Sequence, residues 1–295
     1  MSRIFHPYVL LALATFIWGA NAIAGKLAIG HISPMQLTVQ RWAFASLLLL
    51  PFALPALKRD WPTIKAQWPL LFFLGAMGFA ALNALLYLAL LYTSAMHAMI
   101  IQSAMPLIVF TGMYFFFSTK VSPLQVVGFV ITAVGIAITA SQGRLTTLLH
   151  LQLNKGDALM LLGVLAYALF TIGLSRKPKI HWLSLMFVLT VSATIATVPF
   201  AIWEWQIGAA IFPDKTGLII LAFAVLLPSI ASQSLYIKGV EMIGPNRANL
   251  FINLVPVFGA FLAVTVLGEP LYPYLVLSLA LVLGGIALSE MAKRR

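Results

Sequence analysis

Ten apolar runs, each close to the length that crosses a bilayer, follow one another along these 295 residues with only short polar links between them. They cover 7–29, 34–57, 69–92, 95–118, 121–141, 156–175, 181–203, 216–239, 245–267 and 270–290, against the roughly 20 residues that a spanning helix requires. Composition agrees: 62% of the residues are hydrophobic and 8% are charged, whereas a soluble domain carries about 25% charged residues. The chain is therefore read as an all-α integral membrane protein with ten transmembrane helices. No link is long enough for a soluble domain. The first run follows a single basic residue, Arg3, and leads straight into further spans, so it is expected to remain as a helix and not to be removed as a signal.

The net charge of +11 does not point to nucleic acid, because the basic residues sit at the ends of apolar runs instead of forming a patch. They read as topology signals. Counting the links alternately, the side holding both termini carries 13 of the 18 Lys and Arg residues, and the other side carries 5. Positive residues favour the cytoplasm, so a bacterial inner membrane protein with both termini cytoplasmic is expected. Cysteine is absent, which excludes a disulfide framework and a thiolate metal site. No metal or cofactor is expected. A membrane-embedded enzyme would need a convergent acid, base or metal cluster, and five scattered histidines offer none. A filter-like repeated segment, as a channel requires, is also missing.

The chain repeats itself. The region from Ala95 to Ala140 aligns with that from Pro245 to Glu290 at a constant offset of 150, placing Ala98 on Ala248, Pro106 on Pro256, Pro123 on Pro273 and Gly135-Ile136-Ala137 on Gly285-Ile286-Ala287. Upstream, an offset of 149 places Tyr87 on Tyr236 and Trp18 on Tyr167. The expected organisation is a first five-helix repeat over 1–142, a link over 143–155 and a second five-helix repeat over 156–295. Five is odd, so the second repeat enters the membrane from the opposite side. Inverted repeats of this kind place a substrate near the midplane, in a central cavity between the halves.

The polar residues inside the runs nominate the site. Pro106 and Pro256 each interrupt an apolar run, and a proline there frees the carbonyl four residues earlier, at Gln102 and Ile252. Freed backbone groups persist in a membrane only where they are buried in protein or line a wet cavity. Asn249, Asn253 and Pro256 fall at i, i+4 and i+7 on one helix face, and Gln102 and Ser103 precede Pro106 by one turn. In the first span Trp18, Asn21 and Gly25 share a face; interhelical glue is the bland alternative, and the echo at Tyr167 and Thr171 favours a pocket. Thr38 joins the candidates from the second span. Asn83 and Tyr87 in the third span have Ser232 and Tyr236 as counterparts, with Ser229 and Gln233 beside them. For the two tyrosines, pocket lining and interfacial anchoring stand equal. Arg41 lies two turns inside its run; snorkelling to the interface is the expectation and substrate contact the alternative. His97 is expected to be solvated at a mouth. Small residues at Gly128, Thr132, Gly135, Ser278 and Gly285 suit close helix packing or a dimer seam, leaving monomer and homodimer both open.

The stretches WGANAIAGKLA from Trp18, SPMQLTVQRWAFASLLLL from Ser33 and ALLYTSAMHAMIIQSAMPLIVF from Ala89, with the Gly268-Glu269-Pro270 corner, resemble the drug/metabolite transporter superfamily. They are most similar to its EamA-type ten-helix members, and among those to YddG-type exporters of aromatic amino acids. That resemblance implies two inverted five-helix repeats and export of a small molecule by alternating access. The expected substrates are amino acids with aromatic or other apolar side chains and related metabolites; the alternative is broad drug efflux by proton exchange. Amides, hydroxyls and half-helix ends are expected to hold a zwitterion while Trp18, Tyr87, Tyr167 and Tyr236 embrace the side chain. All seven acids lie near span ends, so facilitated diffusion is the expectation, with exchange through His97 or a rim carboxylate as the alternative. Glu269 departs from symmetry, facing Thr119 in the first repeat, and is expected to start the helix after Pro270.

Overall fold

Because a backbone in hydrocarbon must satisfy its own donors and acceptors, the chain is helical wherever it meets the membrane. The computed structural model describes residues 6–105, 107–109, 111–112, 122–144, 154–243 and 250–292, with Leu250, Glu290 and Ala292 described for backbone only. Among them ten helices follow in order: α1 Pro7–Leu27, α2 Pro34–Ala66, α3 from Trp68 to Ala89, α4 beginning with Ala95–Gln102, and α5 Pro123–Ala140. The second half supplies α6 Lys155–Gly173, α7 Trp182–Gln206, α8 from Lys215 to Ile243, α9 with Leu250–Leu254 and Val255–Leu267, and α10 Pro273–Ala292. Seven are long and apolar enough to cross a membrane, and Ala95–Val109, Phe251–Leu267 and Pro273–Ser289 are shorter apolar helices. The protein is a multi-pass, all-α membrane protein built from two repeats.

Two helices carry the repeat in their backbone. In α3 the residues Gly75–Ala81, and in α8 the residues Val225–Ala231, form π-helical turns inside otherwise regular α-helices. They lie 150 positions apart, the same offset as the aligned sequence. A π turn adds one residue to the helical circuit and frees a carbonyl, and such turns recur at functional sites. Here the freed groups are used: Phe79 O accepts from Trp42 Nε1 at 3.1 Å and from Asn83 Nδ2 at 2.9 Å, and Ala224 O accepts from Ser229 Oγ at 2.8 Å.

Helix α2 runs nine residues past the expected end at Leu57, to Ala66, although it contains Pro51, Pro55 and Pro62. The physical reason is amphipathic continuation. All three prolines lie on the exposed face, while Ala53, Leu57, Asp60 and Ile64 turn inward at helical spacing. Ala53, Leu57 and Ile64 then pack against Ile180, Leu183 and Leu185. Helices α5 and α10 pair tightly: a Cβ on Gly128 would stand 2.5 Å from Gly285 O, and one on Gly135 would stand 2.9 Å from Ser278 O. The small residues of these two helices are thus consumed by packing within the chain.

Candidate functional site

Both broken helices arrive at the centre of the molecule. In α4 the α-helix stops at Gln102, and Ser103 and Ala104 bond to the carbonyls three residues back, at 3.1 and 2.9 Å. In α9 a 3₁₀ turn over Leu250–Leu254 passes into an α-helix whose first turn contains Pro256. Pro256, Asn253, Gln102 and Ser103 share the wall of one cavity of about 160 Å³. Pro106 and Asn249 lie outside the described residues.

Of the other residues nominated from the sequence, Trp18, Asn21, Asn83, Tyr167 and Gln233 line this cavity. Four stand off its wall. The Thr38 hydroxyl is fully buried and donates to Pro34 O within its own helix at 2.7 Å, and Thr171 does the same to Tyr167 O at 2.9 Å. Tyr236 packs at a tilt against Trp18, with ring centroids 5.2 Å apart, and so backs the wall. Tyr87 is 2% exposed, which removes the interfacial-anchor reading. Its ring fills the notch left by Gly25, where a Cβ would come within 2.6 Å of the tyrosine ring.

Arg41 is the residue that sequence reasoning placed wrongly. It does not snorkel: it is 3% exposed and lines the cavity. Its Nε donates to Ser229 Oγ at 2.7 Å, and its Nη1 reaches Tyr87 OH at 2.6 Å, Asn83 Oδ1 at 2.7 Å and Asn21 Oδ1 at 3.0 Å. Tyr87 OH in turn donates to Asn21 Oδ1 at 2.9 Å. The guanidinium carbon lies 4.5 Å from the centre of the Trp42 ring, a cation–π distance. Four helices, α1, α2, α3 and α8, converge on this one side chain. Rise along α2 puts it about 10 Å from the helix start, within reach of an interface, so spacing alone favoured the surface. The π turns supply what spacing did not show, since Asn83 lies two residues after one and Ser229 sits in the other.

The cavity wall also carries apolar and aromatic side chains, among them Trp42, Phe79, Leu82, Leu86, Met99 and Met105. Trp42, Phe79, Leu82 and Leu86 were not nominated as site residues from the sequence, because in a membrane chain an apolar residue that faces a cavity reads like one that faces lipid. No carboxylate lines the cavity among the described residues, and no group of three metal-ligating side chains occurs among them.

Acidic residues instead tie the two halves together at the face opposite the termini. Glu269 does not start α10, which begins at Pro273; its carboxylate accepts from the amides of Ala95 at 2.7 Å and Met96 at 3.0 Å, capping α4 of the other half. A helix N-terminus exposes unpaired N–H groups and a positive dipole end, so a carboxylate belongs there. Glu204 does the same for α2, taking the Ser33 hydroxyl at 2.6 Å and the amides of Met35 and Gln36 at 3.3 Å. Asp214 accepts from Gly217 N at 2.8 Å and meets His31 at 2.8 Å; its carboxyl is held below the usual range, chiefly by the Gly217 amide. His97 is buried and not solvated, since its Nε2 meets Tyr274 OH at 3.0 Å while its Nδ1 faces Asp157 at 3.6 Å.

The sequence profile of the EamA-like transporter family matches this chain twice, over residues 6–141 and 154–291. An uncharacterized transporter of Bacillus subtilis, YyaM, is 24% identical over 95% of this chain and 92% of its own length. An uncharacterized transporter of Archaeoglobus fulgidus is 25% identical over 89% of each chain. A solved crystal structure that is 16% identical covers 98% of this chain and 99% of its own, with a TM-score of 0.64, a likeness of fold.

Proposed function

The chain belongs to the EamA-like transporter family, and from that premise we propose that it exports amino acids with aromatic or other apolar side chains, and related small metabolites, from the bacterial cytoplasm. The observation that carries this reading is a cavity whose wall combines polar side chains with aromatic and other apolar ones, with both broken helices contributing. Polar donors and acceptors suit the head group of an amino acid, and the aromatic wall suits its side chain. The cavity lies between the two halves, each of which carries one copy of the family sequence, and movement of one half against the other exposes it to either side in turn. What supports closure at the face opposite the termini is the set of bonds from one half to the other through Glu204, Glu269, Asp214 and His97. The inner membrane and cytoplasmic termini belong to the same proposal and rest on the distribution of Lys and Arg.

Transport is read as facilitated diffusion, because the cavity wall carries no carboxylate among the described residues. Proton exchange has one observation in its favour: Asp157 Oδ2 and His97 Nδ1 are both buried without a hydrogen-bond partner. Reconstitution into proteoliposomes with a panel of labelled amino acids tests the reading. Aromatic and branched amino acids are expected to equilibrate without accumulating, and Asn253→Ala is expected to slow them at least about tenfold at normal protein levels. Accumulation driven by an imposed pH gradient would replace diffusion with exchange. Unchanged uptake in Asn253→Ala and Trp18→Ala would remove the cavity from the pathway.

A further inference from the structure

Arg41 is a permanent positive charge inside a membrane protein, and every partner it has among the described residues is neutral: two amide oxygens, two hydroxyls and the face of the Trp42 ring. A buried charge normally persists because an opposite charge pairs with it. Here the carboxylates among the described side chains are engaged elsewhere or exposed. Glu204 and Glu269 cap helices, Asp157 accepts from Thr93 at 2.6 Å, Asp60 accepts from His181 N at 2.8 Å, and Asp214 caps α8. Glu241 is exposed.

A purely structural role does not account for the charge. The position 150 residues on, by the offset that relates the two π turns, is Val191, so the equivalent helix of the second half packs without any cation. Hydrogen bonding to four neutral groups could be met by an uncharged side chain. The guanidinium is also not saturated, since among the described residues only Nε and Nη1 donate. Its planar fork matches a carboxylate better than any other side chain does. On the wall of the same cavity, Gln102 Oε1 is buried with no hydrogen-bond partner, an acceptor in want of a donor.

We propose that Arg41 is the substrate's counter-ion: the cavity selects molecules bearing a carboxylate next to an apolar group, and excludes cations. This rests on the cavity being the transport site, and it narrows that reading. The carboxylate is required; an ammonium is accommodated by neutral acceptors such as Gln102 but is not required. Carboxylic acids lacking the amine are therefore substrates on the same footing as amino acids, whereas amines lacking the acid are rejected by the like charge of Arg41.

Four compounds sharing one side chain separate the possibilities: phenylalanine, 3-phenylpropionate, phenylalanine amide and phenethylamine, each tested for uptake and for competition in proteoliposomes of the full chain. Phenylalanine and 3-phenylpropionate are expected to compete within about threefold of each other, and the amide and amine at least about tenfold more weakly, as the loss of one charge-assisted hydrogen bond implies. This series uses the wild-type protein, so it does not depend on a variant that ties four helices less well. Arg41→Lys keeps the charge and loses the fork, and is expected to weaken both acids about tenfold or more while leaving the amine unchanged. Competition by phenethylamine equal to that of the acids overturns the Arg41 assignment and leaves amino acid export standing. Uptake of 3-phenylpropionate without uptake of phenylalanine does the reverse.

Discussion

At the scale of single residues, the site is held by close approaches that admit no extra atom. Tyr87 reaches Arg41 because Gly25 leaves room for its ring. Gly25→Val is expected to push that ring aside, breaking the bonds from Tyr87 to Arg41 and Asn21, and to lower stability by about 1–3 kcal/mol as overpacking does. Loss of uptake checks the first effect, and thermal unfolding in detergent checks the second. Arg41 shows what a sequence conceals at this scale. Its position two turns inside a span is visible, but whether the side chain runs outward to water or inward to amides depends on partners from α1, α3 and α8, between 20 and 188 positions away along the chain. Thr38 shows the converse. Its hydroxyl looks available in the sequence, and the structure gives it to the carbonyl of Pro34 one turn back, as serine and threonine commonly do inside helices.

At the scale of elements, the two π turns set the rotation of everything that follows them. Each adds one residue, so regularising a turn would rotate the downstream half of the helix by about 100°. Deleting Ala76 from Gly75–Ala81 is expected to swing Asn83 and Tyr87 away from Arg41, abolishing uptake while circular dichroism keeps its helical signal. Retained uptake would show that these residues do not need their present orientation. The proline break of α9 was legible, because proline lacks a donor wherever it stands. The π turns were not, because a frame of Gly, Ala and Phe in α3 and a Pro228-containing frame in α8 share no residue pattern. The extension of α2 beyond Leu57 was hidden for a related reason: prolines read as stops unless one knows that all three face outward.

At the scale of the whole molecule, the second half caps helices α2 and α4 of the first through Glu204 and Glu269, and the proposed transport cycle requires this face to open. The chain contains no cysteine, so a single thiol reports access cleanly. In Ser103→Cys, which labels the cavity wall, a membrane-impermeant maleimide is expected to react from the side of the termini. Adding Glu269→Gln weakens the cap on Ala95 and Met96 and is expected to raise labelling from the opposite side roughly fivefold, since a cap is worth about 1 kcal/mol. Equal labelling from both sides in the parent would remove the closed face. The sequence by itself determined that the chain is a membrane protein of ten helices, that its halves repeat at an offset of 150, and that the second half is broken at Pro256. Tertiary structure alone decided that Arg41 and Tyr87 turn inward, that Glu269 caps α4 and not its own neighbour, and that His97 is buried. The physical reason is the solvent. In water, hydrophobic periodicity marks the face of a helix that goes inside, but lipid is as apolar as a protein core. In a bilayer the inward face is chosen by packing and by the few polar groups that find partners there.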